Sequence, residues 1–90
     1  MANFWRLLPK PFLVMAPMDD VTDFVFREII SQIAKPDVFF TEFTSADGLL
    51  SKGREVVVRK LKYSENQRPV VAQIWGKDPD ILLKAAELVR

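Results

Sequence analysis

Continuous apolar runs and apolar stripes at helical spacing take turns along the chain. After Pro9 and Pro11, Phe12-Leu13-Val14-Met15-Ala16 is apolar at every position and stops at Pro17. Such a run predicts a strand covered on both faces, as in a parallel sheet, rather than one wetted at alternate residues. Val25, Phe26, Ile29, Ile30 and Ile33 then recur at helical spacing. They predict a helix from about Asp23 to Ala34, with Thr22 as its N-cap and Asp23 favourably placed against the helix dipole. Lys35-Pro36-Asp37 breaks that helix, and Val38 to Phe43 follows as a second β-branched and aromatic run. Ser45 or Asp47 can start a short helical turn through Leu50 that closes at Gly53. The stretch from Glu55 to Tyr63 suits either element: three consecutive valines favour a strand, while the spacing of Val57 and Leu61 suits a helix. Its first part is read as helix. Ser64 to Pro69 is a polar turn segment, and Val70 to Trp75 is a third apolar strand stopped by Gly76. Asp78 or Pro79 opens a last helix with Ile81, Leu82, Ala85, Ala86, Leu88 and Val89 on its buried side.

Strand and helix alternate three times, which predicts an α/β fold with a parallel sheet and right-handed crossovers. No internal sequence repeat or low-complexity linker interrupts the order, so 90 residues make one small domain or part of a larger one. The chain stops inside the last helix, at Arg90, without a C-cap signal, and is expected to be cut there. Hydrophobic residues at 49% and charged residues at 28% exclude both disorder and a membrane-dominated chain. The longest uncharged apolar stretch, Pro11 to Met18, falls far short of the ~20 residues that span a bilayer. The start, Met1-Ala2-Asn3-Phe4-Trp5-Arg6, lacks the pattern of a secretory signal. A cytoplasmic location is expected. Thirteen Lys and Arg balance 12 Asp and Glu, so any nucleic-acid partner would need a local basic patch.

The missing residue types narrow the chemistry further. Without Cys there is no disulfide, thiolate nucleophile or Cys-ligated metal, and without His the Ser-His-Asp triad and the HExxH metal helix are excluded. Only carboxylates remain as metal ligands, and no metal is expected. In parallel α/β folds ligands gather at the carboxyl ends of the strands. Pro17-Met18-Asp19, Glu42-Phe43-Thr44 and Gln73 with Ile74-Trp75-Gly76 fall there. Gln73 interrupts an apolar strand, and its amide must find partners or cost roughly 1 to 3 kcal/mol; those partners are the edge of a planar heterocycle or neighbouring backbone and water. Met18, on a turn stiffened by Pro17, can lie against a flat ring or fill the core. Glu42 either pairs with Arg27 of the first helix, or acts as a rim carboxylate that positions a substrate or orients Gln73. The basic residues Lys52, Arg54, Arg59, Lys60, Lys62 and Arg68 form a solvated face or a phosphate contact. There is no GxGxxG and no P-loop.

Three blocks, Val14 to Arg27 (with Ala16-Pro17-Met18 and Val21-Thr22-Asp23), Phe40 to Leu49, and Arg68-Pro69-Val70-Val71-Ala72-Gln73-Ile74-Trp75-Gly76, resemble the tRNA-dihydrouridine synthase family in order and spacing. The resemblance covers about residues 12 to 89. It implies an FMN-dependent enzyme built on a TIM (β/α)8 barrel that reduces uridine in tRNA to 5,6-dihydrouridine, with NADPH as electron donor. Residues 1 to 90 would then be about three units of a barrel of about 250 residues, ending before the fourth strand. In the family the turn after the first strand lies against the flavin, which implies FMN contacts for Pro17, Met18 and Asp19. The glutamine of the third strand hydrogen-bonds the flavin, which maps onto Gln73. Asp19-Asp20 stands where many members carry a glycine. The family's general acid is a cysteine after the fourth strand, so no catalytic residue is expected in this chain, which alone should be inactive and bind tRNA weakly or not at all. Three strands with open edges imply self-association. The alternatives are a free-standing α/β interaction module and part of another FMN-dependent barrel oxidoreductase.

Overall fold

A computed structural model describes residues 3–89, so the absence of a signal at Met1-Ala2 and the uncapped end at Arg90 lie outside the described residues. After a 3-10 turn over Phe4–Leu7, the elements run β1 (Val14–Met15), α1 (Phe24–Ile33), β2 (Val38–Phe40), β3 (Thr44–Ser45), α2 (Ala46–Leu49), α3 (Arg54–Val58), β4 (Val70–Val71), β5 (Ile74–Trp75) and α4 (Pro79–Val89). Two further 3-10 turns, Arg59–Leu61 and Glu65–Gln67, separate α3 from β4. All ladders are parallel. One sheet has the order β1-β2-β4, with Val14 opposite Val38 and Phe39 opposite Val70; the other pairs β3 with β5, Thr44 opposite Ile74. The α/β class with a parallel sheet is therefore observed.

The predicted strands are all longer than the observed ones: the second ends at Phe40, with a separate strand, Thr44–Ser45, beyond its predicted end, and the third divides in two. Between Phe40 and Thr44, and between Val71 and Ile74, the chain leaves the first sheet and enters the second. Backbone bonds bridge the break: Thr41 N–H donates to Val71 O at 2.9 Å, and Thr44 N–H to Gln73 O at 2.9 Å. The first strand, at the edge of its sheet, is not covered on both faces: Leu13 is 72% exposed and Val14 41%. The central strand is, with Val38 and Phe39 fully buried.

Helix α1 begins where expected, with one correction to its cap. Asp23 is the N-cap, its carboxylate accepting the Phe26 N–H at 2.9 Å, while Thr22 turns back toward Met18. The predicted apolar side of α1 is also corrected. Val25, Ile29 and Ile33 face solvent, and the fully buried residue of the helix is Arg27. A polar network decides which way the helix turns, because a buried guanidinium without partners would be costly. Its Nε donates to Gln67 Oε1 at 3.0 Å and its Nη1 to Thr22 O at 2.8 Å. The turn at Ser45 forms as read, the Ser45 hydroxyl accepting the Gly48 N–H, and the first part of the ambiguous segment is helical as α3. Helix α4 packs Ile81, Leu82, Ala85 and Val89 against Ala46 and Leu49, but Ala86 and Leu88, expected on that side, are exposed.

Candidate functional site

Since β1, β2 and β4 are parallel, their carboxyl ends share one edge of the sheet. Pro17-Met18-Asp19 leaves β1 there, Thr41-Glu42 leaves β2, and Gln73 follows β4. The turn after β1 is fastened by its own continuation. Thr22, fully buried, accepts the Met18 N–H on Oγ1 at 2.8 Å and donates its hydroxyl to Met18 O at 3.2 Å; the Val21 and Thr22 N–H groups also reach Met18 O. With both backbone groups of Met18 satisfied, its side chain is 48% exposed, so it does not fill the core. Asp20 sits at φ 62°, in the left-handed region. A non-glycine residue there costs roughly 1 to 2 kcal/mol.

Glu42 is 3% exposed, and its carboxylate accepts the Asp20 N–H. The expected ion pair with Arg27 does not form, because Arg27 spends its donors on Gln67 and on backbone oxygens. Among the described residues the ion pairs are Lys60–Asp19 at 2.7 Å and Arg68–Glu65 at 3.1 Å. Burial pushes the Arg27 guanidinium down from its ordinary value, and the negative charges of Glu42 and Asp23 act against that shift. Asp19 is held below the usual carboxylate range, chiefly by its hydrogen bond from Lys60, and the same bond raises Lys60, with the Asp19 charge and then those of Glu42 and Asp20 adding to it. Asp19, Asp20 and Glu42 each bring a carboxylate oxygen within 4.8 Å of the others. Two of the three have partners inside the chain, Lys60 for Asp19 and the Asp20 amide for Glu42.

Gln73 is placed differently from expectation. It sits in the break between β4 and β5, its backbone N–H donating to Thr41 Oγ1 at 3.0 Å and its carbonyl accepting from Thr44 N–H. Its side chain is exposed, and no described residue hydrogen-bonds its amide. The amide thus escapes the cost of burial and keeps both its donor and its acceptor for a ligand. Three of the basic residues lie over aromatic rings. Lys60 lies 5.4 Å over the Phe43 ring, Lys62 5.0 Å over Phe24 and Arg68 5.1 Å over Tyr63. Lys60 and Thr41 are rim residues that sequence reasoning missed. Lys60 comes from a segment 41 residues away, and Thr41 looked like one more residue of a strand. Phe43 and Trp75 meet edge to face at 6.3 Å, both partly exposed.

The family model for dihydrouridine synthase matches residues 14–90. The protein of Bacillus subtilis (strain 168) named "Probable tRNA-dihydrouridine synthase 2" is 51% identical over 79 residues, covering 87% of this chain and 24% of that protein. The "Probable tRNA-dihydrouridine synthase" of Staphylococcus aureus (strain COL) is likewise 51% identical, and that of Staphylococcus epidermidis (strain RP62A) 49%, each over 79 residues with the same coverage. The chain thus spans about a quarter of the length of the curated relatives it matches.

Proposed function

The chain belongs to the dihydrouridine synthase family, and from that premise we propose that it forms the N-terminal part of a TIM-barrel enzyme that reduces uridine in tRNA to 5,6-dihydrouridine, with FMN as cofactor and NADPH as electron donor. Residues 1–90 are then the first units of the barrel domain. One observation carries the assignment of a flavin rim: Met18 and the Gln73 amide leave the same edge of the parallel sheet with their side chains exposed and their backbones fixed.

The residues fit a flavin by the chemistry of their groups. An unpaired amide offers one donor face and one acceptor, matching the alternating polar edge of a planar heterocycle, and a thioether beside a proline suits its flat apolar face. Pro17, Met18, Asp19 and Gln73 are the residues that would hold it. FMN, when bound, supplies the hydride chemistry, and these residues orient and bind the ring system. The 90 residues include no cysteine, the residue the family uses as general acid, so the chain by itself is inactive. Among the described residues no helix is long and apolar enough to cross a membrane, and a cytoplasmic location suits tRNA as substrate.

The test uses the full-length protein that carries this chain. It should purify with flavin absorbance and form dihydrouridine in tRNA when given NADPH, while the 90-residue chain gives no turnover. Gln73→Ala should weaken FMN binding by about 1 kcal/mol, roughly fivefold in Kd, for the loss of one neutral hydrogen bond. An FMN affinity unchanged by that substitution would remove Gln73 from the site.

A further inference from the structure

The two residues that follow the central strand touch both halves of the candidate site. Glu42 accepts the backbone N–H of Asp20, at the end of the Pro17-Met18-Asp19 turn, and the Thr41 hydroxyl accepts the backbone N–H of Gln73. Both side chains are almost wholly buried, Thr41 at 1% and Glu42 at 3%. Burying a carboxylate is costly unless it is hydrogen-bonded, and an ionised acceptor makes a stronger bond than a neutral one. Here that stronger bond goes to the one described non-glycine residue with positive φ. Thr41 also donates to Glu42 O at 3.2 Å, which leaves its oxygen lone pairs to receive Gln73. Their partners Asp20 and Gln73 lie at the exposed rim, while Thr41 and Glu42 themselves leave almost no surface for a ligand to touch.

We infer that Thr41-Glu42 is a positioning pair: from the middle strand it fixes the spacing between the Met18 turn and Gln73, so that a flat ligand meets both without reorganising the rim. The inference rests on the flavin reading above and adds two residues to it. Glu42 acts through the Asp20 amide, and Thr41 through the Gln73 amide. A rim set in advance binds more tightly, because less freedom is lost when the ligand arrives.

Two measurements test the pair. In the full-length protein, Glu42→Ala should weaken FMN binding by roughly tenfold, the loss of a charge-assisted bond, and Thr41→Val by roughly fivefold. Glu42→Gln and Thr41→Ser, which keep an acceptor oxygen in place, should recover most of each loss, a rescue that general destabilisation would not give. In parallel, amide hydrogen exchange should speed up at Asp20 in Glu42→Ala and at Gln73 in Thr41→Val, while Phe39 in the central strand keeps the unsubstituted rate. If Glu42→Ala fails to fold, Thr41→Val against Thr41→Ser decides by the same comparison. FMN affinity unchanged in Thr41→Val, or equal losses in a substitution and its conservative counterpart, overturns the pair. An unsubstituted protein that takes up no flavin defeats the flavin reading instead. The exchange rates at Asp20 and Gln73 then still decide whether the pair holds the two segments.

Discussion

Asp19 and Lys60 form an ion pair at the rim, and their titration has a definite sign. The Asp19 pKa is lowered in the folded chain, first by the hydrogen bond from Lys60. Its contribution to stability is therefore in place above the unfolded carboxylate pKa of about 3.9 and is lost as pH falls through the lower folded value. The Lys60 pKa is raised, first by the same bond. Its contribution is in place below the unfolded lysine pKa of about 10.4 and is lost as pH rises through the higher folded value. The stability difference between the unsubstituted chain and Lys60→Met, followed by urea denaturation, should thus be constant between about pH 5 and 9 and vanish in strong acid. Both side chains are partly solvated, so the difference is small. A difference that persists undiminished in strong acid, once Asp19 is protonated, would assign the effect to the ammonium over the Phe43 ring and not to the pair. At this scale the sequence left Glu42 two roles, a pair with Arg27 or a rim carboxylate, and of these the pair does not form. Charge alone suggested Arg27. A backbone N–H does not show in a list of side chains, and it was the Asp20 amide that claimed the carboxylate.

The helices show how local chemistry and packing divide the work. Helix α2 is a single turn of four residues, too short to persist on its own propensity. The Ser45 cap starts it, and the buried Leu49 holds it against Ile81, Leu82 and Ala85 of α4. Leu49→Ala should therefore cost about 2 to 5 kcal/mol in urea denaturation, the range for emptying a leucine site in a packed core. A loss below about 1 kcal/mol would mean that α2 and α4 do not rely on this contact. The cap at Ser45 and the start of α4 at Pro79 were legible because each depends on residues within one turn. The face of α1 was not. Val25, Ile29 and Ile33 form a proper apolar stripe, but Arg27 and Glu28 turn the helix toward the 3-10 turn at Glu65–Gln67, where Gln67 and Ser64 lie more than thirty residues away in sequence.

Taken whole, the chain buries little of its apolar content. The stripe on α1 is open, with Ile33 75% exposed, and β1 and β4 each have a neighbour on one side only. A groove of about 1120 Å³ lined by Phe4, Leu8, Leu49, Leu61, Val70 and Val89 runs beside the sheet. Open apolar stripes and unpaired strand edges favour association. The 90-residue chain is therefore proposed to self-associate, a second copy covering what the remaining units would cover in a barrel. Sedimentation velocity across a hundredfold range of concentration should show mass rising with concentration. A monomer at every concentration would mean that the open surfaces are tolerated by solvent.

The sequence by itself determined the α/β alternation, the Ser45 cap, the start of the last helix and the side chains offered at the strand ends, because each is set by spacing or by capping within a few residues. Only the tertiary structure decided the second sheet of Thr44–Ser45 and Ile74–Trp75, the direction in which α1 faces, the solvent exposure of Gln73 and the grip of Thr41-Glu42 on both halves of the rim. Those features come from hydrogen bonds that buried side chains make, to backbone amides or to one another, across 22 to 40 residues of sequence. No local pattern encodes such partners, since every amide along the chain offers the same donor until folding brings an acceptor to one of them.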